Sequence, residues 1–281
     1  MRQQLDQAGL DHCRLYVSEW NNTVSNRNYL NDSCFRGTYI CKKVSEILDA
    51  VDLLGVWTGS DWVSSYYDSF SIVNGGSGLL TKDGIPKPAF YALQFLNELG
   101  NELVKTGENF IVTKSRSGSY RILCFNFNWY SIRYFLKAEN ALLPQELGTV
   151  FHKNEAITVN LLLNDMEESE MYVIKKRSIS QENGSILDEW GKFQYETHLD
   201  RADVKYLQEI CIPHLSMEKR RADQTKLYLH VRLGKHEFAL FHIVAVGYKQ
   251  NRQISKKKHP KQMRMCYNAL TVSKYQLSIG N

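Results

Sequence analysis

Long apolar runs are missing from this sequence. Nowhere in its 281 residues does a run approach the roughly 20 apolar residues that a membrane-spanning helix needs. The longest candidate, FALFHIVAV at 238–246, is about half that length and contains His242. The opening stretch, MRQQLDQAGLDH, lacks the apolar core of a secretory signal peptide. We therefore expect a soluble, cytoplasmic protein without a membrane partner.

Cysteine pairs and histidine clusters are missing as well. The 6 cysteines are scattered and form no C-x-x-C pair, which argues against a zinc site and against a secreted disulfide framework. The histidines show no metal-ligand spacing. The segment NGGSG at 74–78 lacks the strand-to-helix turn of a phosphate-binding loop, and no nucleophile elbow occurs. We expect neither a metal nor a cofactor.

The basic charge is confined to the end of the chain. The formal net charge is +5, from 35 Lys and Arg against 30 Asp and Glu. Eight of the basic residues and no acidic residue follow Tyr248, so the preceding part carries 27 basic and 30 acidic residues. We predict that 247–281 is a disordered basic tail. It matches no nucleic-acid-binding module, so we expect nucleic acid contact only through an upstream domain, if the protein is a regulator.

The first hundred residues alternate between strand and helix patterns. RLYVSE (14–19) and LLGVWTGSD (53–61) have the continuous apolar character of buried parallel strands. Between them we predict a helix from a cap at Asn31 or Asp32 to about residue 50. Its apolar face carries Tyr39, Ile40, Val44, Ile47 and Leu48. The order predicts a parallel βα sheet, which two strands alone cannot close into a barrel.

A glycine-containing loop and a second helix complete this part. In WVSSYYDSFSIVNGGSG, Gly75, Gly76 and Gly78 are predicted to provide backbone freedom. KPAFYALQFLNELG (87–100) is predicted to be a helix that Pro88 opens and Gly100 caps.

After Gly107 the pattern becomes that of an antiparallel β-sandwich, because short β-prone runs alternate with turn residues. One helix, LDRADVKYLQEI at 199–210, interrupts the strands. The runs are NFIVTKS, YRILCFNFNWY, AITVNLLL, EMYVIKKRSI, KLYLHVRL and HEFALFHI. The fold class is thus α/β plus all-β, with predicted units at 1–105 and 106–246 ahead of the tail.

Glu19 is the strongest candidate for chemistry on residue grounds. It lies at the carboxyl end of a predicted parallel strand, where barrel enzymes build their active sites. Trp20 and, on the next strand, Trp57 offer flat faces beside it. A carboxylate flanked by aromatic rings and amides is typical of sugar sites, since apolar sugar faces stack and hydroxyl groups need polar partners. A solvated charge at a strand end remains the plainer interpretation.

Five separated blocks stand out along the chain: YVSEWNNT, NDSCFRGTYICKKV, LGVWTGSD, NGGSGLLTKDGIPKPAFYALQFLNELG and NGSILDEW. In this order they resemble glycoside hydrolase family 39, the β-xylosidase and α-iduronidase family. The resemblance implies the last two βα units of a (β/α)8 TIM barrel, followed by an accessory β-sandwich. It places Glu19 on the family's nucleophile and Trp57 on the tryptophan against the sugar. It also suggests Trp20, Asn21, Asp61 and Asn74 as substrate-binding residues.

The sequence departs from the family at three points. A retaining glycosidase needs a second carboxyl group about 5 to 5.5 Å from the nucleophile. The family's Asn-Glu-Pro motif that carries this acid is missing here, and the nearest substitutes, Asp61 and Asp68, are better suited to ordering a loop. Ser64 and Ser65 replace a sugar-binding Glu pair, and Asn74 to Gly78 read NGGSG where the family has His-Gly-Gly-Phe-Gly.

These features leave three interpretations open. The chain is part of a retaining β-glycosidase that acts on a β-xyloside-like sugar, and it is not expected to turn over substrate alone. Alternatively, it is the sugar-sensing part of an AraC-type transcriptional regulator, whose family-39-like domains NGSILDEW and YLQEICIP resemble. The third interpretation is an inactive remnant whose open barrel edge would aggregate. Homo-oligomerisation is left open.

Overall fold

The computed structural model describes residues 1–25, 27–48, 50–61, 71–138, 141–153, 155–164 and 166–246. The predicted disordered tail, 247–281, lies outside the described residues, as do Ser64, Ser65 and Asp68. Among the described residues no helix is long and apolar enough to cross a bilayer.

The N-terminal part has the predicted alternation of strand and helix. Its strands, β1 and β2, pair in parallel with Tyr16 opposite Leu53 and Trp20 opposite Val56. A short additional helix, α1, precedes them and was not predicted, because its six residues are polar apart from one leucine. The elements are α1 (Arg2–Gln7), β1 (Tyr16–Trp20), α2 (Cys34–Ile47), β2 (Leu53–Val56) and α3 (Pro88–Asn97).

The prediction that β1 is a buried strand is wrong for this chain. Tyr16 is 54% exposed, and Ser18 and Glu19 are exposed as well. Within the described ranges, one side of the strand pair is covered: Val17 and Val56 pack on the apolar core that α2 and α3 form with the larger sheet. A continuous apolar stretch indicates burial on both faces only when other elements cover both faces.

The predicted helix caps are also corrected. Helix α2 has Ser33 as its N-cap, and residues 31 and 32 belong to a preceding 3-10 turn, Tyr29–Asp32. Both side chains are drawn inward to bind the glycine loop. Helix α3 begins at Pro88 as predicted, but Glu98 is its C-cap. The backbone N–H of Gly100 donates instead to Thr113 Oγ1 in the next domain.

The strands that follow α3, from residue 102 to residue 245, form two antiparallel sheets. The larger has the strand order β3-β4-β5-β10-β7-β8, and β6 and β9 pair as a separate ribbon. The ribbon packs on one face of the larger sheet through Val159, Leu229 and Val231. The strands are β3 (Glu102–Gly107), β4 (Phe110–Lys114), β5 (Tyr120–Phe125), β6 (Ile157–Leu163), β7 (Met171–Ile179), β8 (His214–Arg221), β9 (Leu227–Leu233) and β10 (Phe238–Ala245).

The two outermost strands of the larger sheet, β3 and β8, were missed by the sequence analysis. Both are exposed along nearly their whole length and carry charged side chains, so neither shows an apolar alternation. Strand β3 runs across the predicted unit boundary at residue 105.

Besides the core around α2 and α3 and the core beneath the β6–β9 ribbon, a third apolar core joins the N-terminal part to the part that contains the antiparallel sheets. Phe35 of α2 lies at its centre and contacts the rings of Tyr130 and Phe151 from the sandwich side. Trp190 and Leu207 close this core from two helices of the same side. These helices are α5 (Ile186–Lys192) and α6 (Arg201–Ile210), and a further short helix, α4, spans Ile132–Phe135. The predicted helix at 199–210 therefore corresponds to α6, which Asp200 caps by accepting N–H bonds from Ala202 and Asp203.

Candidate functional site

The carboxyl ends of β1 and β2 bring three predicted site residues to one edge. Glu19 and Trp20 end β1, and Trp57 directly follows β2. The backbone N–H of Trp57 donates to the carbonyl of Trp20 at 2.9 Å, which ties the two strand ends together. The Glu19 side chain is exposed. This edge therefore presents a carboxylate beside aromatic side chains.

The two tryptophans of this edge have different environments. The Trp20 ring is half-buried and stacks on Tyr39 of α2, with centroids 5.2 Å apart and planes within 8° of parallel. Trp57 is 47% exposed, and the peptide bond that links it to Thr58 is cis. Trp57 is thus the more exposed of the two side chains, whereas one face of the Trp20 ring is covered by Tyr39.

The three polar residues that the resemblance suggested for sugar binding are engaged within the protein. The Asn21 side chain accepts the N–H of Asn22 at 2.9 Å, and the Asn74 side chain accepts the N–H of Gly76 at 3.0 Å. Asp61 is 1% exposed. Contacts of these residues with sugar stay a prediction, and the geometry explains their presence by loop structure.

A buried ion network lies behind this edge. The Lys87 ammonium contacts Asp61 Oδ2 at 2.7 Å and also pairs with the carboxylate of Asp32, and all three side chains are buried. Burial raises the pKa of Asp32 to about 6, and the Asp61 charge adds to the rise, while Lys87 opposes it. Lys87 donates its third bond to the carbonyl of Gly76 at 2.9 Å.

The same network binds the backbone of the glycine loop, residues 74–78. Asp32 accepts the N–H of Gly75 at 2.7 Å, and Asp61 accepts the N–H of Gly78 at 2.8 Å. The side-chain amide of Asn31 donates to the carbonyl of Gly75 at 2.9 Å. Asp61 therefore orders a loop, as the sequence analysis favoured, and its pairing with Lys87 leaves it poorly placed to serve as a catalytic acid.

Arg36 supplies the second buried cation. Its guanidinium donates to the carbonyls of Gly78 at 3.0 Å, Ser77 at 2.7 Å and Trp57 at 3.0 Å. The side chain is 1% exposed, and burial lowers its pKa to about 10, which the carboxylates of Asp32 and Asp61 partly offset. Arg36 thus joins helix α2 to the loop after β2 and to the glycine loop.

Two glycines of the loop are needed for space rather than for conformational freedom. An added Cβ at Gly76 would lie 2.3 Å from Asp61 Oδ1, and one at Gly78 would lie 2.3 Å from the backbone nitrogen of Asp61. Of the three glycines in this loop, only Gly75 has a positive φ, at +76°. The predicted backbone freedom therefore applies to Gly75, and close packing against Asp61 explains the other two.

Sequence reasoning missed the structural roles of Arg36 and Lys87. A signal for Arg36 exists, because residues 36, 40 and 44 recur at the four-residue spacing that defines the buried face of α2. No comparable signal marks Lys87, which precedes a helix and would ordinarily be solvated. Among the described residues no group of three His, Cys, Asp or Glu side chains could hold a metal ion.

The sequence profile of glycosyl hydrolases family 39 matches residues 2–226. The chain belongs to glycosyl hydrolase family 39. A β-xylosidase of Geobacillus stearothermophilus is 27% identical over 246 residues, which are 88% of this chain and 44% of that enzyme. An uncharacterised HTH-type transcriptional regulator of Staphylococcus aureus is 23% identical over 203 residues, which are 72% of this chain and 26% of the regulator. The chain thus spans less than half the length of either relative.

Solved structures show a similar fold. A family 39 enzyme from Xanthomonas axonopodis pv. citri superposes with a TM-score of 0.72 at 17% identity, over 87% of this chain and 47% of that one. A monomeric β-xylosidase from Caulobacter crescentus gives 0.69 at 20% identity, over 86% and 48%. The predicted membership of family 39 is confirmed, as is the similarity to helix-turn-helix regulators.

Proposed function

We propose that residues 1–105 are the last two βα units of a glycosidase-like TIM barrel, that 106–246 form its accessory sandwich, and that Glu19 is a retaining nucleophile for a β-xyloside-like sugar. The observation that carries this proposal is the exposed Glu19 at the carboxyl end of a parallel strand, paired with the strand that the exposed Trp57 follows. The similarity to two β-xylosidases, from Geobacillus stearothermophilus and Caldicellulosiruptor saccharolyticus, supports the substrate class.

In this mechanism a Glu19 oxygen attacks the anomeric carbon and forms a glycosyl ester while the bond to the leaving oxygen breaks. The exposed face of Trp57 stacks on the sugar and holds it against the carboxylate. Departure of an ordinary alcohol needs a proton from a second carboxylic acid. Since Asp61 is bound by Lys87 and Gly78, we expect no rapid hydrolysis of unactivated xylosides by this chain alone.

The nucleophile can be tested without the acid. A 2,4-dinitrophenyl 2-deoxy-2-fluoro-β-xyloside releases dinitrophenolate, which leaves without protonation, and the fluorine slows hydrolysis of the ester. We expect a covalent adduct on the peptide that contains Glu19, detected by mass spectrometry, and no adduct in Glu19→Gln. Saturable xyloside binding without an adduct would refute the nucleophile and keep the sugar site.

The second candidate is a cytoplasmic sugar sensor that forms the C-terminal part of an AraC-type regulator. It is favoured by the HTH-type relative, which this chain matches over 72% of its length. A sensor should gain thermal stability with xylose or xylobiose, which remain unconsumed. In that case nucleic acid would be contacted by an upstream domain, and no membrane is involved in either proposal.

A further inference from the structure

We propose that Arg36 is a positioning residue that sets the place of the Trp57 ring in the sugar site. This inference rests on the proposed sugar site for its function, and its structural part can be tested without sugar. The juxtaposition that carries it is a fully buried guanidinium bound to the carbonyl of an exposed tryptophan.

The backbone around Trp57 is held at three points, whereas its side chain is half exposed. Its N–H donates to the carbonyl of Trp20, and its own carbonyl accepts from Arg36 Nη2. The next N–H, of Thr58, donates to the carbonyl of Ser77 at 3.1 Å. A constrained backbone fixes the direction of the Cα–Cβ bond, so fewer positions remain open to the ring and less entropy is lost when a sugar stacks on it.

The bonding pattern requires an arginine. Nη1 reaches Gly78, while Nη2 serves both Ser77 and Trp57, so a single planar group spans two loops. A lysine has one nitrogen and cannot reproduce this fork at three separated carbonyls. The carboxylates of Asp32 and Asp61 stabilise the buried positive charge, which helps to keep the guanidinium in this position.

The first test measures Trp57 itself. Acrylamide quenching of tryptophan fluorescence is measured in the parent chain and in Arg36→Lys, each with and without Trp57→Phe. Subtracting the signal of the Trp57→Phe form from that of the matching protein with Trp57 isolates the emission of Trp57. We expect Arg36→Lys to make Trp57 more accessible to quencher than it is in the parent chain. Equal quenching of the Trp57 emission in Arg36→Lys and in the parent chain would overturn the inference. Leu163→Ala, in the sandwich core away from this edge, controls for a general loss of stability.

The second test links the residue to sugar. Affinity for a non-hydrolysable thioxyloside is measured in the parent, Arg36→Lys, Trp57→Ala and the double variant. We expect Arg36→Lys to weaken binding by about tenfold. The double variant should bind like Trp57→Ala alone, because Arg36 acts through the ring. Additive losses would overturn the inference. If none of the four proteins binds the thioxyloside, the sugar site is refuted, and the quenching experiment alone decides whether Arg36 positions Trp57.

A measurement on the unaltered chain covers the case in which Arg36→Lys does not fold. If the backbone at Trp57 is fixed, the N–H groups of Trp57 and Thr58 exchange with deuterium only when the whole domain unfolds. Exchange as fast as that of exposed loop amides would show that Trp57 is not held, and would overturn the inference.

Discussion

Replacing Lys87 by Met should be among the most damaging single changes in this chain. Lys87 is a fully buried cation between two buried carboxylates, Asp32 and Asp61, and it also donates to the carbonyl of Gly76. Methionine fills a similar volume but leaves two carboxylates without their counter-ion. The damage would therefore come from uncompensated charge rather than from a cavity.

The expected magnitude follows from that environment. Removing one partner of a buried ion pair costs about 3–5 kcal/mol, a large share of the roughly 5–15 kcal/mol that stabilises an ordinary domain. The cost should depend on pH. The folded-state pKa of Asp32 is already raised to about 6, and loss of Lys87 raises it further. A raised carboxyl pKa stabilises the folded state below about pH 4 and loses that contribution as pH rises through the folded pKa.

Urea unfolding of the parent and Lys87→Met at pH 5 and pH 7.5 tests this reasoning. The difference in unfolding free energy should be larger at pH 7.5, and Asp32→Asn with Asp61→Asn in the same chain should recover much of it. Lys205→Met, at an exposed ion pair on α6, serves as the control and should change stability by less than about 1 kcal/mol. A loss in Lys87→Met no larger than the control, and equal at both pH values, would refute the proposed role of the network.

Three further outcomes can be measured by the same unfolding assay. Burial raises the pKa of Asp188 to about 6, so Asp188→Asn should gain about 2–3 kcal/mol relative to the parent between pH 4 and pH 7; a constant difference would contradict this. Phe35→Ala should cost about 3–5 kcal/mol, since the ring is buried among four sandwich-side rings, and a loss below 1 kcal/mol would show that the two parts do not share a core. Gly78→Ala should cost more than Gly84→Ala, because a Cβ at Gly78 meets Asp61, whereas Gly84 has φ +76° and open space; equal losses would rule out the close packing.

The spacing of apolar residues predicted those helices and strands whose packing neighbours are among the described residues. The helical spacing of Ile40 and Val44 identified the buried face of α2, because that face packs on α3 and the larger sheet. The strand β10 was visible for the same reason, since both of its neighbours are present. Strand β1 has the same apolar signal, but among the described residues one of its faces stays exposed, so the signal misled.

The sequence indicates candidate site residues but not the contacts that hold them in place. Glu19 and Trp57 are candidates because a carboxylate and an aromatic ring after parallel strands are a recurring arrangement of sugar sites, and their role stays a prediction. The contacts of Lys87 and Asp32 join residues that are distant in the sequence, and buried ion pairs have no periodic pattern. Sequence reasoning therefore treated Asn31 or Asp32 as the helix cap and gave Lys87 no role.

The proposed enzyme and the proposed sensor make the same demand on the buried charges and different demands on Glu19. The buried network of Lys87, Arg36 and two carboxylates fixes the loops around Trp57, and its contacts supply no group that could protonate a leaving oxygen. A rigid edge would serve the proposed glycosidase and the proposed sensor alike. The discriminating property is the reactivity of Glu19. A sensor needs only the shape of the site, whereas a glycosidase needs the carboxylate to form a bond, which is why the activated fluoroxyloside separates the two.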